Sequence, residues 1–490
     1  MDKRLENEQE HGPAIISDQV LVNGIATPLM LTADGELWWM GAVRRSLTVE
    51  KDVIGFSIEG SKVRVKAVVE RGGGGICGGG IAGDCVRKDF VFEPLSDYSR
   101  NLWRHKLGEC LDSLGRPKKL FVFVNPYGGK KSARTIFQEE VKPLLEAADI
   151  QLEVKETKYQ LHAKEIVRSL DLAEYDGIVC VSGDGILVEV VNGLLEREDW
   201  RNAIRTPIGM IPGGTGNGMI KSLLDSVGLQ CSARSATISV IRGHKRSLDV
   251  ATILQGDTRF FSILMLAWGL VADIDIESEK FRWMGSARLD FYALQRIIRL
   301  RRYNGRVLFV PAPGFEGYGQ PASYEARSRA SSDKAPSVEA KKLGYQGPNT
   351  ETRNQEWREI NGPFVSVWLH NVPWGAENTL AAPDAKFSDG FLDLILIKDC
   401  PKLALLSLMT KLTDGGHVKS PYTMYLKVKE FVLEPGARVE DPDKDGIIDS
   451  DGEVLARGRR TYNSDHKALM SYSELRVTVD QGLATLFSPK

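Results

Sequence analysis

Three glycine-rich turns, each between an apolar β-branched run and a helix-like stretch, constrain the fold of this chain most strongly. They are Asn125-Pro126-Tyr127-Gly128-Gly129-Lys130, Ser182-Gly183-Asp184-Gly185 and Pro212-Gly213-Gly214-Thr215-Gly216-Asn217-Gly218. Glycine lets the backbone approach a phosphate closely, and the first amides of a helix favour negative charge. The pattern therefore predicts a nucleotide pocket. Asp184 would repel a phosphate, so its presence indicates proton abstraction or metal chemistry beside the phosphates.

The order of apolar runs predicts an α/β + β architecture. Strands and helices alternate over 119–243, which favours a doubly wound α/β nucleotide-binding domain with the three turns at the carboxyl ends of parallel strands. Residues 18–115 carry short β-rich runs closed by a helix with Trp103, a small β-rich segment that resembles a pleckstrin-homology (PH-like) module; a structural lid is the alternative interpretation. Residues 244–490 are β-rich with helices near 289–301 and 403–412, which predicts an antiparallel β-sandwich-like second domain.

Three segments are predicted to lack stable structure. They are the charged tail 1–17, the glycine tract 72–83, which we interpret as a mobile loop, and an insert over 314–359 rich in Gly, Ser, Pro and charge. Such compositions bury too little apolar surface to offset the entropy of ordering.

Composition excludes several classes of partner. A chain of 490 residues with a formal net charge of −1 has no bulk attraction to nucleic acid or to an anionic bilayer. Six scattered cysteines without a CxxC pair favour a reduced, intracellular setting. The charged N-terminus and the short longest apolar run, Phe260 to Ala272, predict neither a signal peptide nor a transmembrane helix.

Familiar phosphate-binding motifs are absent from the sequence. It contains no G-x-x-x-x-G-K-[ST], no strand-linked G-x-G-x-x-G and no protein-kinase H-R-D with D-F-G. Residues 182–193 instead read S-G-D-G-x-x-x-E-V-x-N-G, and they follow Asn125-Pro126-x-Gly128-Gly129 and precede Gly214-Thr215-Gly216-Asn217. Over roughly 119–473 the chain resembles the diacylglycerol-kinase-like catalytic domain and, within it, the sphingosine (long-chain-base) kinases. The segment from Leu266 to Arg288 resembles sphingosine kinases more than ceramide or diacylglycerol kinases.

The resemblance implies an ATP- and Mg²⁺-dependent lipid kinase that phosphorylates the primary hydroxyl of sphingosine, dihydrosphingosine or phytosphingosine. It assigns Asp184 as the catalytic base, with Ser182, Gly183 and Gly185 beside it at the substrate. Capping of a helix is the other role open to Asp184, and the two roles can coexist. Asp275 takes the place that recognises the substrate's amine. Asp273, two residues earlier on the same predicted strand face, is the alternative for that role.

The resemblance also implies a set of nucleotide-binding residues, among which Asp451 is placed near Mg²⁺. They are Asn125, Pro126, Tyr127, Thr157, Glu189, Gly214, Thr215, Gly216, Arg282, Arg288, Asp451, Gly452 and Glu453. Tyr127 stands where relatives often carry a basic residue, which leaves one phosphate contact in question. The run from Asp441 to Gly446 begins like a calcium-binding EF-hand loop, but its twelfth position is Gly452, so we do not expect a calcium site.

A long-chain substrate implies an apolar channel and contact with a membrane. The run from Phe260 to Val271 and the two helices of the second domain are candidates for its walls, although ordinary core explains them equally well. We expect a cytoplasmic protein bound peripherally to an intracellular membrane such as the vacuole, ER or plasma membrane. Two rival functions remain: a ceramide or diacylglycerol kinase on the same scaffold, and a lipid sensor without catalysis. The sequence does not indicate an oligomeric state.

Overall fold

The structure is a computed structural model, and it describes most of the chain. The described residues are 12–41, 43–70, 85–129, 132–285, 287–322, 344–348, 356–461 and 468–490. The glycine tract 72–83 and residues 1–11 of the predicted tail lie outside them. So do residues 323–343 and 349–355 of the predicted insert.

The N-terminal segment folds as an antiparallel sheet closed by one helix. Its elements are β1 (Ala14–Val22), β2 (Ile25–Thr32), β3 (Glu36–Met40), β4 (Arg44–Thr48), β5 (Val53–Glu59), β6 (Lys62–Glu70), β7 (Cys85–Pro94) and α1 (Asp97–Ser113). The strand order is β4-β3-β2-β1-β7-β6-β5. Trp103 and Leu107 of α1 are buried against the sheet, as the helix pattern predicts. The predicted tail is too long by a few residues, because β1 begins at Ala14 and buries Ile16.

The central segment is the predicted α/β domain. Its elements are β8 (Lys119–Val124), α2 (Ala133–Ile136), a π-helical turn (Phe137–Val141), α3 (Lys142–Ala147), β9 (Gln151–Glu156), α4 (His162–Ser169), a 3-10 turn (Leu172–Glu174), β10 (Gly177–Ser182), α5 (Asp184–Leu195), α6 (Trp200–Ala203), β11 (Ile208–Pro212), α7 (Gly218–Asp225) and α8 (Ala233–Arg242). Strands β9, β8, β10 and β11 pair in parallel in that order. Every side chain of β10 is buried, as expected of a strand covered on both faces.

The second domain is dominated by antiparallel strands. Its strands are β12 (Lys245–Gln255), β13 (Thr258–Ser262), β14 (Met265–Gly269), β15 (Tyr303–Pro311), β16 (Gln320–Pro321), β17 (Arg358–Asn361), β18 (Ser366–His370), β19 (Trp374–Ala376), β20 (Thr379–Leu380), β21 (Leu392–Ile397), β22 (Met424–Arg438), β23 (Ile447–Ser450), β24 (Glu453–Arg457), β25 (Met470–Ser471) and β26 (Leu475–Phe487). Its helices are α9 (Leu270–Glu277), α10 (Ala287–Ile298) and α11 (Lys402–Thr410), with 3-10 segments at Ser278–Met284, Lys411–Thr413 and Gly416–Lys419.

The expected strand face carrying Asp273 and Asp275 is wrong. Strand β14 ends at Gly269, whose φ of 86° turns the chain, and both aspartates lie in α9. A short apolar run that is buried all round does not distinguish a strand from a helix by periodicity. The helix points the two carboxyl groups into different surroundings.

The described parts of the predicted insert are ordered rather than disordered. Strand β16 pairs with β17, and Trp357 beside it is buried. Tyr345 packs between Trp200 and Phe261, with ring centroids 4.5 Å and 5.8 Å away. Large aromatic residues therefore anchor a segment whose overall composition predicts disorder.

The last strand joins the two domains. Strand β26 runs antiparallel to β12 along most of its length and pairs in parallel with β11 through Leu486 and Ile208. One buried apolar cluster consequently continues from the α/β domain into the second domain. Within the described residues, no helix combines the length and apolarity needed to cross a membrane.

Candidate active site

The three glycine turns meet at the carboxyl ends of β8, β10 and β11. A Cβ on Gly214 would lie 2.3 Å from the Cα of Gly183, and a Cβ on Gly129 would lie 2.8 Å from the carbonyl carbon of Gly214. Hydrogen bonds hold the strand ends together: the amide of Gly213 donates to the carbonyl of Ser182 (3.0 Å), and that of Asn125 donates to the carbonyl of Val181 (3.1 Å). Only glycine permits this approach of backbone to backbone.

Asp184 lies at the centre of these turns, as the first residue of α5. Its two carboxylate oxygens accept hydrogen bonds from the amides of Gly218 (2.9 Å) and Met219 (3.0 Å), the first residues of α7. Asp184 therefore caps a helix other than its own. It is 9% exposed, and burial raises its pKa, although the two amides oppose the shift. A buried carboxylate with a raised pKa accepts a proton more readily than an exposed one.

Asn217 and Glu377 join the third turn to the second domain. The side-chain oxygen of Asn217 accepts from the amide of Gly214 (3.0 Å), and its nitrogen donates to Glu377 (2.6 Å). The amide of Glu377 in turn donates to the carbonyl of Gly216 (2.9 Å). Neither residue was singled out as a site residue from the sequence. Asn217 has a left-handed φ of 56°, a conformation that Asn tolerates better than most residues. An Asn after glycines is therefore a weak sequence indication of such a turn.

A second capping carboxylate, Glu189, holds the loop that leads into α4. It accepts from the amides of Leu161 (2.9 Å) and Ala163 (3.0 Å) at the start of α4. Gln160 in the same turn donates to Glu453 (2.6 Å). Burial raises the pKa of Glu453 to about 7, and the charge of Glu189 adds to the shift. Glu189 thus holds the loop between β9 and α4, and Thr157 at the start of that loop is buried.

Asp451 braces the loop between β13 and β14. One of its oxygens accepts from the amides of Leu264 (2.9 Å) and Met265 (2.7 Å) and from the Ser262 hydroxyl (3.1 Å), and the other accepts from the amide of Ile263 (3.0 Å). Burial raises its pKa to about 6. Three of these donors share one oxygen, and the other oxygen meets a single donor and keeps one acceptor position open. Asp451 therefore holds this loop, and its contact with Mg²⁺ stays a prediction. Among the described residues, no three ligand side chains form a metal cluster.

The two aspartates of α9 differ in their partners. Asp273 is fully buried and accepts from the Tyr303 hydroxyl (2.6 Å) and from Arg301 (3.0 Å), which also binds Glu277 (2.8 Å). Asp275 keeps part of its surface exposed. Burial of its carboxyl group raises its pKa, and the positive charge of Arg288 opposes that shift. Asp273 belongs to a structural ion-pair network, which leaves Asp275 as the aspartate of α9 that is open to a ligand.

The remaining expected nucleotide residues differ in their exposure and contacts. Tyr127 and Thr215 are exposed, and Pro126 and Gly216 are partly exposed. Arg288 donates to the Ser278 hydroxyl (3.0 Å) beneath Asp275. Gly452 follows Asp451 in the turn between β23 and β24 with a φ of 81°. The side chain of Arg282 lies outside what the structure describes.

Comparisons with known proteins identify the family. Residues 119–253 match the model of the diacylglycerol kinase catalytic domain, and residues 354–470 match that of the YegS C-terminal NAD kinase beta sandwich-like domain. Sphingosine kinase 1 of Arabidopsis thaliana is 72% identical over 492 residues that cover 100% of both chains. The chain belongs to the sphingosine kinases. Sphingosine kinase 2 of Arabidopsis thaliana is 70% identical over 99% of this chain and 100% of its own, and sphingosine kinase 1 of Homo sapiens is 34% identical over 70% and 87%.

Membership of the sphingosine kinases makes the chain an enzyme, a lipid kinase, and confirms the family resemblance drawn from its motifs. The expected architecture is also confirmed: an N-terminal antiparallel sheet, an α/β domain with a kinase family match, and a β-sandwich-like second domain. Use of ATP follows from the kinase family.

Proposed function

We propose that this chain transfers the γ-phosphoryl group of ATP to the primary hydroxyl of a sphingoid base such as sphingosine, dihydrosphingosine or phytosphingosine, giving the 1-phosphate. The observation that carries the proposal is the position of Asp184, a buried carboxylate at the junction of three glycine turns. A carboxylate among bare backbone amides suits a reaction in which an alcohol loses its proton beside bound phosphates.

The glycine turns are the proposed phosphate site. Gly128, Gly183 and Gly214 carry no side chains of their own, and the amides after Gly183 begin α5. These features favour binding of the triphosphate. The nucleotide would then be contacted by residues of the first and third turns, namely Pro126, Tyr127 and Thr215. Arg288 would supply positive charge from the second domain.

The proposed amine site is Asp275. An ammonium buried without a partner is unfavourable by several kcal/mol, so a receptor for a long-chain base needs a carboxylate. Asp275 is partly open, and no hydrogen bond from Arg301 or Tyr303 engages it as they engage Asp273. This difference favours Asp275 over Asp273 for the role.

Mg²⁺ would enter with ATP in this proposal. It usually keeps several waters and needs only one or two carboxylates together with substrate phosphates. Because the oxygens of Asp451 are engaged by the loop 262–265, we assign Asp451 to holding that loop. Glu453, with Gln160 donating to one of its oxygens, is the more available carboxylate of the pair.

The lipid is proposed to reach the site from a membrane surface. Helices α10 and α11 pack together through Ala293, Ile297, Leu405 and Leu408. Their outer faces expose large apolar side chains, namely Phe291, Leu294, Ile298, Leu403 and Leu406. We call these five residues the apolar patch. An exposed patch of this kind supports peripheral contact with an intracellular membrane.

Transfer of ³²P from labelled ATP tests the function directly. Wild-type protein is incubated with sphingosine, dihydrosphingosine, phytosphingosine, ceramide and diacylglycerol, each in detergent micelles. We expect label in the three long-chain bases. In Asp184→Asn the rate should fall by about 10²–10⁴-fold, the usual contribution of a general base.

The control is Asp249→Asn, which alters a buried carboxylate outside the expected site that also accepts from two backbone amides, those of Gly390 (2.7 Å) and Gly482 (2.6 Å). Loss of such a hydrogen bond typically removes about 1–3 kcal/mol of stability, so this variant should lose far less activity than Asp184→Asn. Equal label transfer by wild type and Asp184→Asn would remove the assigned base. Label in ceramide or diacylglycerol but not in the bases would assign the scaffold to one of those substrates, and no label in any lipid would favour a sensor.

A further inference from the structure

A buried carboxylate without a charge partner lies beside the proposed amine site. Asp449 is 0% exposed, and neither of its oxygens meets a hydrogen-bond donor among the described residues. Asp449 is not among the residues that the family resemblance implies, which in this region are Asp451, Gly452 and Glu453. Buried carboxylates are almost always paired, so an unpaired one calls for a ligand or a proton.

The sheet geometry aims Asp449 toward α9. Strand β23 pairs with β14, where Asp449 lies opposite Ala267, and the register with β24 shifts between Ile448 and Asp449. Such a bulge redirects a side chain and is common beside active sites. The carboxyl group of Asp449 comes within hydrogen-bonding range of Asp275.

The strongest electrostatic influences on Asp449 come from acidic residues. The charged groups that act on it are Asp275, Asp451 and Glu453. The positive charge of Arg288 acts on Asp275. Two adjacent carboxylates repel each other strongly at low dielectric, and a cation between them removes that repulsion.

We propose that Asp449 and Asp275 together bind the protonated amino group of the long-chain base. An ammonium group offers three N–H donors, enough to reach both carboxylates. The inference rests on the proposed function, because it takes Asp275 as the amine site, and it adds a second binding residue to that site. A metal ion is the less favoured occupant, since the oxygens of the neighbouring Asp451 point into the loop 262–265.

The test compares Asp449→Asn with wild type and Asp275→Asn in full-length protein. Each is assayed for sphingosine phosphorylation and for inhibition by two probes: octadecylamine, which has the ammonium without the substrate's hydroxyls, and octadecanol, which has no ammonium. We expect both variants to raise the KM for sphingosine and the Ki for octadecylamine at least about tenfold. The Ki for octadecanol and the KM for ATP should stay within about twofold of wild type, since neither involves the amine.

Asp443→Asn is the matched control. It removes a charge from the turn that precedes β23, where the Asp443 side chain is 73% exposed, and should leave every constant unchanged. Folding of Asp449→Asn is checked by thermal unfolding. Because the variant removes one of two adjacent buried carboxyl groups that disfavour each other's ionisation, its midpoint should equal or exceed that of wild type.

The outcomes separate this inference from the proposed function. A wild-type protein that does not phosphorylate any long-chain base would overturn the function itself. If wild type is active and Asp275→Asn is impaired while Asp449→Asn retains the wild-type Ki for octadecylamine, the role of Asp449 is wrong and the function stands. A rise in the KM for ATP alone in Asp449→Asn would place the residue on the phosphate side and also overturn the inference.

Discussion

Single carboxylates in this protein take their roles from their partners rather than from their residue type. Asp184 and Glu189 both accept from two backbone amides at a helix start. Asp451 accepts from a whole loop, and Asp273 is neutralised by Arg301. A sequence motif gives the position of each acid, but only the hydrogen-bond donors around it decide whether it remains open to a substrate.

The aspartates of α9 give a prediction that separates stability from binding. Asp273→Asn leaves Arg301 buried with only part of its counter-charge, which should lower the free energy of unfolding by about 3 kcal/mol. Asp275→Asn removes one of two adjacent carboxyl groups and leaves no arginine without its partner of the Arg301 kind, so it should not lower the free energy of unfolding by more than about 1 kcal/mol. Its KM for sphingosine should instead rise at least about tenfold, because the ammonium loses a charged partner.

Urea denaturation and micelle kinetics on the same preparations check both halves. The sphingosine KM of Asp273→Asn should remain near that of wild type once the assay temperature is kept well below unfolding. A reversed pattern, with Asp273→Asn raising the KM and Asp275→Asn unfolding the protein, would exchange the two roles. Full activity of Asp275→Asn would favour a substrate without an ammonium.

The glycine turns are elements whose spacing the sequence predicts well. Alternation of strands and helices places all three turns at one edge of a parallel sheet, and the structure has them there. The strand-to-helix change at Gly269 was not predictable by the same reasoning, because Leu270 to Ile274 is apolar at nearly every position. Asn217, Glu377 and Asp449 escaped prediction because their importance arises from contacts between residues far apart in the chain.

Close packing of two turns makes Gly214→Ala an informative change. The new Cβ would lie 2.3 Å from the Cα of Gly183, so the turns must separate. Overpacking of this kind typically costs about 1–3 kcal/mol, and here the cost should appear as a roughly tenfold to hundredfold lower kcat/KM for ATP. Steady-state kinetics with ATP varied at saturating lipid measures the effect.

Gly108→Ala is the matched control for this substitution. Gly108 lies within α1, and its new Cβ meets no atom within 4 Å. Alanine in a helix is more favourable than glycine by about 0.5–1 kcal/mol, so this variant should be slightly more stable and equally active. An unchanged kcat/KM for ATP in Gly214→Ala would show that the turns do not form the phosphate site.

The apolar patch on α10 and α11 predicts how the enzyme finds its lipid. The double variant Leu294→Gln with Leu403→Gln replaces side chains that are 48% and 83% exposed. Insertion of each leucine into the membrane interface contributes up to about 1.5–3 kcal/mol, so vesicle binding should weaken at least about tenfold. Co-sedimentation with phosphatidylcholine vesicles measures the change.

The comparison variant is Ile25→Gln on the N-terminal sheet, where Ile25 is 70% exposed. It removes a similar apolar side chain far from α10 and α11 in the chain and should leave vesicle binding unaltered. Equal binding by the double variant and wild type would exclude this patch as the membrane contact, and equal losses in both would indicate that any exposed apolar group contributes.

The last strand, β26, connects the sheets of the two domains. The domain boundary expected at residue 243 follows the change from alternating to β-rich sequence, yet the chain returns across it at the end. Leu486 pairs with Ile208 of the α/β domain, and Phe487 packs so closely on Gly177 that a Cβ there would lie 2.5 Å from its ring. Sequence patterns are local, so they do not reveal that a strand of one domain completes the sheet of another.

This closure predicts that the two domains unfold together. Phe487→Ala leaves a cavity at the junction and should lower the free energy of unfolding by about 3–5 kcal/mol, whereas Phe487→Leu, which keeps most of the volume, should lower it by less than about 1.5 kcal/mol. Circular dichroism and a fluorescent ATP analogue should report one coincident transition in urea for each variant, because the active site needs both domains in register. Separate transitions, with nucleotide binding lost well before the second-domain strands unfold, would mean that β26 is an attachment between two independent domains rather than part of a common core.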